Sequence, residues 1–244
     1  MTLKDKLNKI SEAVGHAFPA FSSDVGPILV TAADGVVSYR VAAQLLGLPA
    51  EHSPKVRLGV PANSAEKVSE LAKLDGAEVV DFDWERPETY KAALAGMRGV
   101  FISMPHHPDW KDQFDGFLRA ARSAGVKNYV KLSFYHALAS GADTMSNFGN
   151  ATRTDDPFLK APFVLMHREC DSKLMKTPMI DYALVFATHF MSNPLVYQAK
   201  NLKESRKFVG ASHGKGVNYC SPNDVAEIVV RYASCPVLTI RTCD

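Results

Sequence analysis

The 244 residues predict an α/β domain, a doubly wound parallel sheet with helices on both faces. Three observations carry this. From Ile28 onward, short β-rich runs alternate with helical patterns of ten to eighteen residues, the signature of βαβ units. Glycine, proline and aspartate punctuate the joins between them. The length suits one domain that buries roughly three quarters of its unfolded surface, and 46% apolar with 22% charged residues is ordinary for a globular chain.

The elements follow in order. "PILVTA" is the first strand, and "YRVAAQLLGL" continues the first helix. "KVRLGVP" is the second strand, and "SAEKVSELAKLDG" an amphipathic helix closed by Gly76. "AEVVDFD", "RPETYKAALAG" and "GVFISMP" read as strand, helix and strand, followed by the helix "PDWKDQFDGFLRAARSAG" and the strand "NYVKLSF". From Tyr135 to Pro162 the rhythm is lost to small polar residues, as in a long loop beside a site. The helix "FVLMHRECDSKLMK" and the strand "DYALVFA" restore it. In "SPNDVAEIVVRYASC", Ser221 and Asp224 bracket a helix start, and "VLTIRT" reads as a last strand.

Composition narrows the function classes. A net charge of +2 without a long basic run gives no reason to expect nucleic acid as a partner. Cys170, Cys220, Cys235 and Cys243 form no C-x-x-C pair, so neither zinc nor a redox pair is indicated; reduced thiols fit a cytoplasmic protein. No run reaches the roughly 18 apolar residues of a membrane span. Residues 1–27 form an N-terminal extension with Leu3, Leu7, Ile10 and Val14 at helical spacing. Such a helix is expected to pack on its own domain or on a partner subunit, which would give a homo-oligomer. Residues 28–244 form the single main domain with a small C-terminal region beside the ligand.

The segment "ILVTAADGVVS" runs from a buried strand through a tight turn into a helix. In open α/β sheets ligands bind outside the carboxyl ends of the strands, where strand order reverses. Candidate chemistry is therefore sought at the strand ends.

The segments "ILVTAADGVVSYRVAAQLL", "AEVVDFDWERPETYKAALAGMRGVFISMP", "AGVKNYVKLS", "DYALVFATHFMSNPL" and "NDVAEIVV", in this order and spacing, resemble the NmrA-like branch of the atypical short-chain dehydrogenases. The resemblance implies a Rossmann-type domain that binds NAD(P), in enzymes reducing small carbonyl, imine or quinone compounds; some members instead sense the nicotinamide pool. It implies the pyrophosphate over the turn of Ala32, Asp34, Gly35, Val36 and Val37, Asp83 near the adenine unless it caps the helix beginning near Pro87, and Ser103, Met104 and Pro105 along the cofactor. The family's G-A-x-G-x-x-G turn is here Ala32, Ala33, Asp34, Gly35, Val36, Val37, Ser38, with two of three glycines replaced. Ala32 suits the turn if its φ stays negative. Asp34 opposes an anion at the helix start, unless it caps that helix or turns outward. Near Pro61, where NADP-preferring relatives carry an arginine, only Arg57 or Lys55 could bend round to a 2′-phosphate.

The superfamily's proton relay is a tyrosine four residues before a lysine, with a serine. By that resemblance Ser133 is the serine, Phe163 takes the tyrosine position and His167 the lysine position. Histidines accumulate at the strand ends: His106 and His107 after the fourth, Tyr135 and His136 after the fifth, His189 after the sixth. Imidazoles near neutrality can act as an acid–base pair. The catalytic candidates are thus Ser133, Tyr135, His136, His167, His106 and His189, each also readable as a hydrogen-bonded loop or core residue. His107, Trp110, Phe134, Phe190 and Met191, with Met104, are candidates to wall an apolar pocket or are ordinary core residues. Adjacent His106 and His107 lack metal-ligand spacing, so no metal is expected.

Three functions remain open at this point. One is an NAD(P)H-dependent reductase of a small carbonyl, imine or polyketide-like aromatic compound. A second is a cofactor-free isomerase, cyclase or lyase using the histidines as acid and base. The third is a nucleotide-sensing or partner-binding regulator.

Overall fold

The computed structural model describes residues 26–50, 52–134, 162–191, 203–204 and 219–233. The expected N-terminal helix and last strand lie outside them, as do Tyr135 and His136. Six strands form one parallel sheet: β1 Ile28–Val30, β2 Val56–Val60, β3 Ala77–Asp81, β4 Gly99–Ile102, β5 Asn128–Phe134 and β6 Asp181–Ala187. Their spatial order is β3-β2-β1-β4-β5-β6, so the chain reverses direction across the sheet between β1 and β4. That is the expected doubly wound fold.

Alternation along each strand builds two cores. Ile28 and Val30 point into a layer with Val41, Leu45, Val68, Leu71, Val225 and Val229. These residues come from α1 (Val36–Leu46), α2 (Ser69–Ala72) with the 3₁₀ helix before it (Ala62–Val68), and α6 (Pro222–Ala233). Leu29, between them, points to the opposite layer of Phe82, Trp84, Tyr90, Phe114, Phe117, Tyr129 and Met166. There it meets α3 (Glu88–Leu94), α4 (Trp110–Ser123) and α5 (Pro162–Met175). Phe82, Trp84, Tyr90 and Phe117 interlock with ring centroids 4.9–6.0 Å apart.

Two local readings change. The helix expected over 64–76 is instead a 3₁₀ segment followed by one α-turn. Its inward residues Ala65, Val68 and Leu71 recur every three positions, which suits the tighter helix, and Asp81 Oδ1 accepts the Ala62 N–H at 3.1 Å. A second, two-stranded parallel sheet pairs β7 (His189–Phe190) with β8 (Tyr219–Cys220), bringing distant segments together beyond the end of β6. The start of α6 agrees with the expectation: Ser221 Oγ accepts the Asn223 N–H at 3.1 Å, and Pro222 opens the helix.

Candidate functional site

The crevice at the β1/β4 reversal is shaped by a residue the strand-end reading passed over. Thr31 is fully buried; its Oγ1 accepts the Ser103 N–H at 2.9 Å and lies 3.0 and 3.1 Å from the Phe101 and Ser103 carbonyls. Trp84 Nε1 also donates to the Ser103 carbonyl, at 3.1 Å. Ser103 therefore ties β1, β4 and the turn after β3 together by its backbone. Met104 is buried in the core, whereas Pro105 and His106 are exposed.

Above β1, Ala32 takes φ +47°, which corrects the expectation of a negative φ. The Gly35 N–H donates to the Ala32 carbonyl at 2.8 Å, closing a turn over Ala33 and Asp34, and the left-handed Ala32 leads the chain from β1 into it. Gly35 is the N-cap of α1, and no side chain among the described residues caps that helix. A Cβ on Gly35 would stand 3.1 Å from the Ala32 carbonyl and 3.9 Å from Ser38 Oγ. Ser38 is itself buried, and its Oγ has no hydrogen-bond partner among the described residues. Asp34 neither caps the helix nor stands alone: its carboxylate pairs with Lys67 Nζ at 3.1 Å, reaching across to the 3₁₀ helix beyond β2.

Other first-half candidates serve the scaffold. Asp83 Oδ1 accepts the Glu85 N–H at 3.0 Å and Oδ2 accepts from Arg86 Nε at 3.2 Å, which closes the turn into α3. Arg57 does not bend toward a 2′-phosphate. It pairs with Glu78 at 2.9 Å and donates to the carbonyls of Ala92, Ala93 and Ala95 at the end of α3. His107 turns toward α4: its Nδ1 accepts the Asp109 N–H at 3.2 Å and faces Gln113 Nε2 at 3.1 Å. Trp110 is buried in the core layer under α4 rather than walling a crevice.

A polar cluster sits beneath the end of β5. Lys131 and Ser133 alternate with apolar neighbours on the face that meets α5. Lys131 Nζ contacts Asp171 Oδ1 at 2.8 Å, the Leu132 carbonyl at 3.3 Å and His167 Nδ1 at 3.3 Å. Ser133 Oγ donates to Asp171 Oδ2 at 2.5 Å. The Lys131 and Asp171 side chains are only 2% and 7% exposed. Burial, then the charge of Lys131 and then His106, push the His167 pKa down to about 3, so this imidazole is neutral at physiological pH. The neighbouring Cys170 thiol is pushed up to about 12, mainly by burial, and stays protonated and inert.

Aromatic rings gather next to this cluster. Phe134 meets Phe163 edge to face at 5.2 Å, His189 at 5.7 Å and His167 at 6.5 Å, and His189 lies 6.1 Å from Tyr219. Phe190 packs onto the core, and Met191 is 60% exposed. Ser133, His167, Phe134 and His189 therefore share one sheet end, with His106 close enough to act on the His167 charge; His107 and Trp110 do not join them.

Lys131 and Asp171 were not among the sequence candidates, yet both left a signal. A lysine at the same strand face as Tyr129 and Ser133 is unusual in a strand buried on both sides. Val164, His167, Asp171 and Leu174 share one helical stripe, so the two polar residues interrupt an inward face.

Comparison with known proteins decides the family. The sequence profile of the NAD(P)H-binding family matches residues 33–236. The chain belongs to that family. It is of the NmrA-like, atypical short-chain dehydrogenase type. No curated protein matches the chain. Among solved structures, Citrobacter sp. triphenylmethane reductase complexed with NADP(H) superposes with TM-score 0.62 at 24% identity, over 83% of this chain and 64% of that one. Escherichia coli NADPH-dependent quinone oxidoreductase complexed with NADPH gives 0.64 at 22%, over 84% and 63%. A nucleoside-diphosphate-sugar epimerase from Staphylococcus aureus gives 0.59 at 25%, over 82% and 63%. The NAD(P)H-binding-family chain thus spans somewhat under two thirds of the length of each of these proteins.

The residues at the β1 turn fit a dinucleotide. The α1 start is uncapped, Gly35 leaves open the space a Cβ would fill, and the buried Ser38 hydroxyl lacks a protein partner among the described residues. Asp34, the acid of this turn, is already paired with Lys67. An anion at a helix N-terminus needs these conditions. Among the described residues, no helix is long and apolar enough to cross a membrane.

Proposed function

We propose that this protein is an NAD(P)H-dependent reductase of a small carbonyl, imine or polyketide-like aromatic compound. The observation that carries the reading is the uncapped α1 start beside an Asp34 carboxylate paired to Lys67. Left unpaired, that carboxylate would repel a pyrophosphate; paired, it leaves the helix dipole to attract one. The first-turn N–H groups of Val36, Val37 and Ser38 would hold the pyrophosphate, and Ser103–Pro105 would border the cofactor as it crosses β4. Bound there, the dinucleotide supplies hydride.

The chain's own residues orient the substrate. Phe134, Phe163, His189 and Tyr219 offer flat apolar surface for an aromatic or conjugated compound. His167 puts a polar ring beside that surface at the superfamily's lysine position, Phe163 takes the tyrosine position, and Ser133 matches the serine, buried against Asp171. Less supports a cofactor-free acid–base enzyme. His107 is tied to the start of α4, and the neutral His167 already has one ring nitrogen engaged.

Titrating the purified protein with NADH and NADPH, by fluorescence or calorimetry, tests the reading. Saturable binding in the micromolar range with either cofactor is the expected result. Absence of binding at millimolar concentrations of both overturns it.

A further inference from the structure

Lys131 is an unusual residue to find under a sheet end: 2% exposed, on a strand covered on both faces. An ammonium has three N–H donors and no acceptor. Here three acceptors surround it, Asp171 Oδ1 at 2.8 Å, the Leu132 carbonyl at 3.3 Å and His167 Nδ1 at 3.3 Å. Because Lys131 can only donate, His167 Nδ1 must be the lone-pair nitrogen. The ring proton of the neutral imidazole is then on Nε2. Asp171 anchors the arrangement, with its second oxygen accepting a hydrogen bond from the Ser133 hydroxyl.

We propose that Lys131, held by Asp171, is a positioning residue that locks His167 as the Nε2–H tautomer, making it a hydrogen-bond donor and not a proton-abstracting base. This deepens the reductase reading and rests on it for its consequence. A fixed neutral donor suits a substrate whose reducible bond ends in an acceptor heteroatom, the oxygen of a ketone or quinone or the nitrogen of an imine.

The charged and titratable groups around the ring come from every side. Lys131 lies on β5, Asp171 one turn along α5, His106 in the loop after β4 and His189 on β7. Of these, Lys131 alone contacts Nδ1 among the described residues. A protonated His167 would set an Nδ1–H against the Lys131 ammonium, so Lys131 adds to burial in disfavouring the charged ring.

Nitrogen-15 NMR of histidine-labelled full-length protein, without cofactor, tests the proposal. In the wild type, His167 is expected to show an unprotonated Nδ1 and a protonated Nε2, unchanged from pH 8 to pH 5. The double variant Lys131→Met/Asp171→Leu removes both charges without stranding either. Its His167 is expected to become a tautomer mixture that titrates within pH 5–7. Lys131→Arg keeps the donor and is expected to keep the wild-type signature. A wild-type spectrum with the proton on Nδ1, or a folded double variant whose His167 spectrum is unchanged, overturns the proposal. The wild-type spectrum decides even if the double variant fails to fold. Since no cofactor enters the measurement, failure of the tautomer lock and failure of NAD(P)H binding are read separately.

Discussion

Two lysine–aspartate pairs lie along the sheet, one beyond β1 and one on β5, and they do different work. Asp34 and Lys67 meet at 3.1 Å with side chains 19% and 64% exposed. Lys131 and Asp171 meet at 2.8 Å with both nearly sealed from water. The first is screened, adds little to stability, and acts mainly by cancelling a local charge where an anion is expected. The second has lost its hydration, so each partner depends on the other and on every hydrogen bond it makes. The dielectric surroundings, more than the residue types, separate a local charge correction from a rigid polar anchor.

The largest expected break in this contrast is at the buried pair. Lys131→Met strands the Asp171 carboxylate and should cost about 3–5 kcal/mol in guanidinium unfolding, whereas Lys131→Met/Asp171→Leu should recover most of it. Equal stability of the single variant and the wild type would show that the pair is not desolvated.

Next is the pH dependence that burial of His167 implies. Its native pKa is about 3, below the ordinary 6.5 of an unfolded chain. Between these values the unfolded state binds a proton that the native state refuses, so stability falls as pH drops below 6.5. The slope is at most about 1.4 kcal/mol per pH unit, and the effect vanishes above 6.5. Comparing wild type with His167→Gln by thermal melts from pH 7 to 5 isolates it. A wild type no more acid-sensitive than the variant contradicts the buried neutral ring.

At the exposed pair the effect should appear in affinity, not in folding. Lys67→Ala should change stability by less than about 1 kcal/mol. It should weaken NAD(P)H binding by about three- to tenfold, and Asp34→Asn should tighten it; both differences should shrink at high salt. Affinities that ignore both substitutions would remove the role given to this pair.

The smallest effect belongs to Ala32. Its φ of +47° places a methyl-bearing residue where glycine is at ease. Ala32→Gly relieves that strain but loosens the unfolded chain, for a net gain of up to about 1 kcal/mol, or a Tm rise of about 2–4 °C. A lower Tm would mean that the entropy term wins.

Much of the fold was legible in the chain. The runs "NYVKLSF" and "DYALVFA" are β5 and β6 residue for residue, and Ser221 with Pro222 marks the start of α6. The 3₁₀ segment was misread because a repeat of three and one of 3.6 differ little over seven residues. The site was legible by region. Ser133, Phe134, His167 and His189 do come to one sheet end, whereas His107 and Trp110 turn to the α4 side, held there by a hydrogen bond and by core packing.

By itself the sequence determined the order of strands and helices, the two-faced alternation of the core and the family to which the chain belongs. The order and the alternation follow from periodicities written within a few residues of one another, and the family from a likeness that runs over residues 33–236. The tertiary structure alone decided that Asp34 is answered by Lys67, that Ala32 turns left-handed, and that Lys131 meets Asp171 forty positions away. Those outcomes depend on which elements the sheet order brings together and on how much water is left between them. Neither quantity is carried by a local pattern.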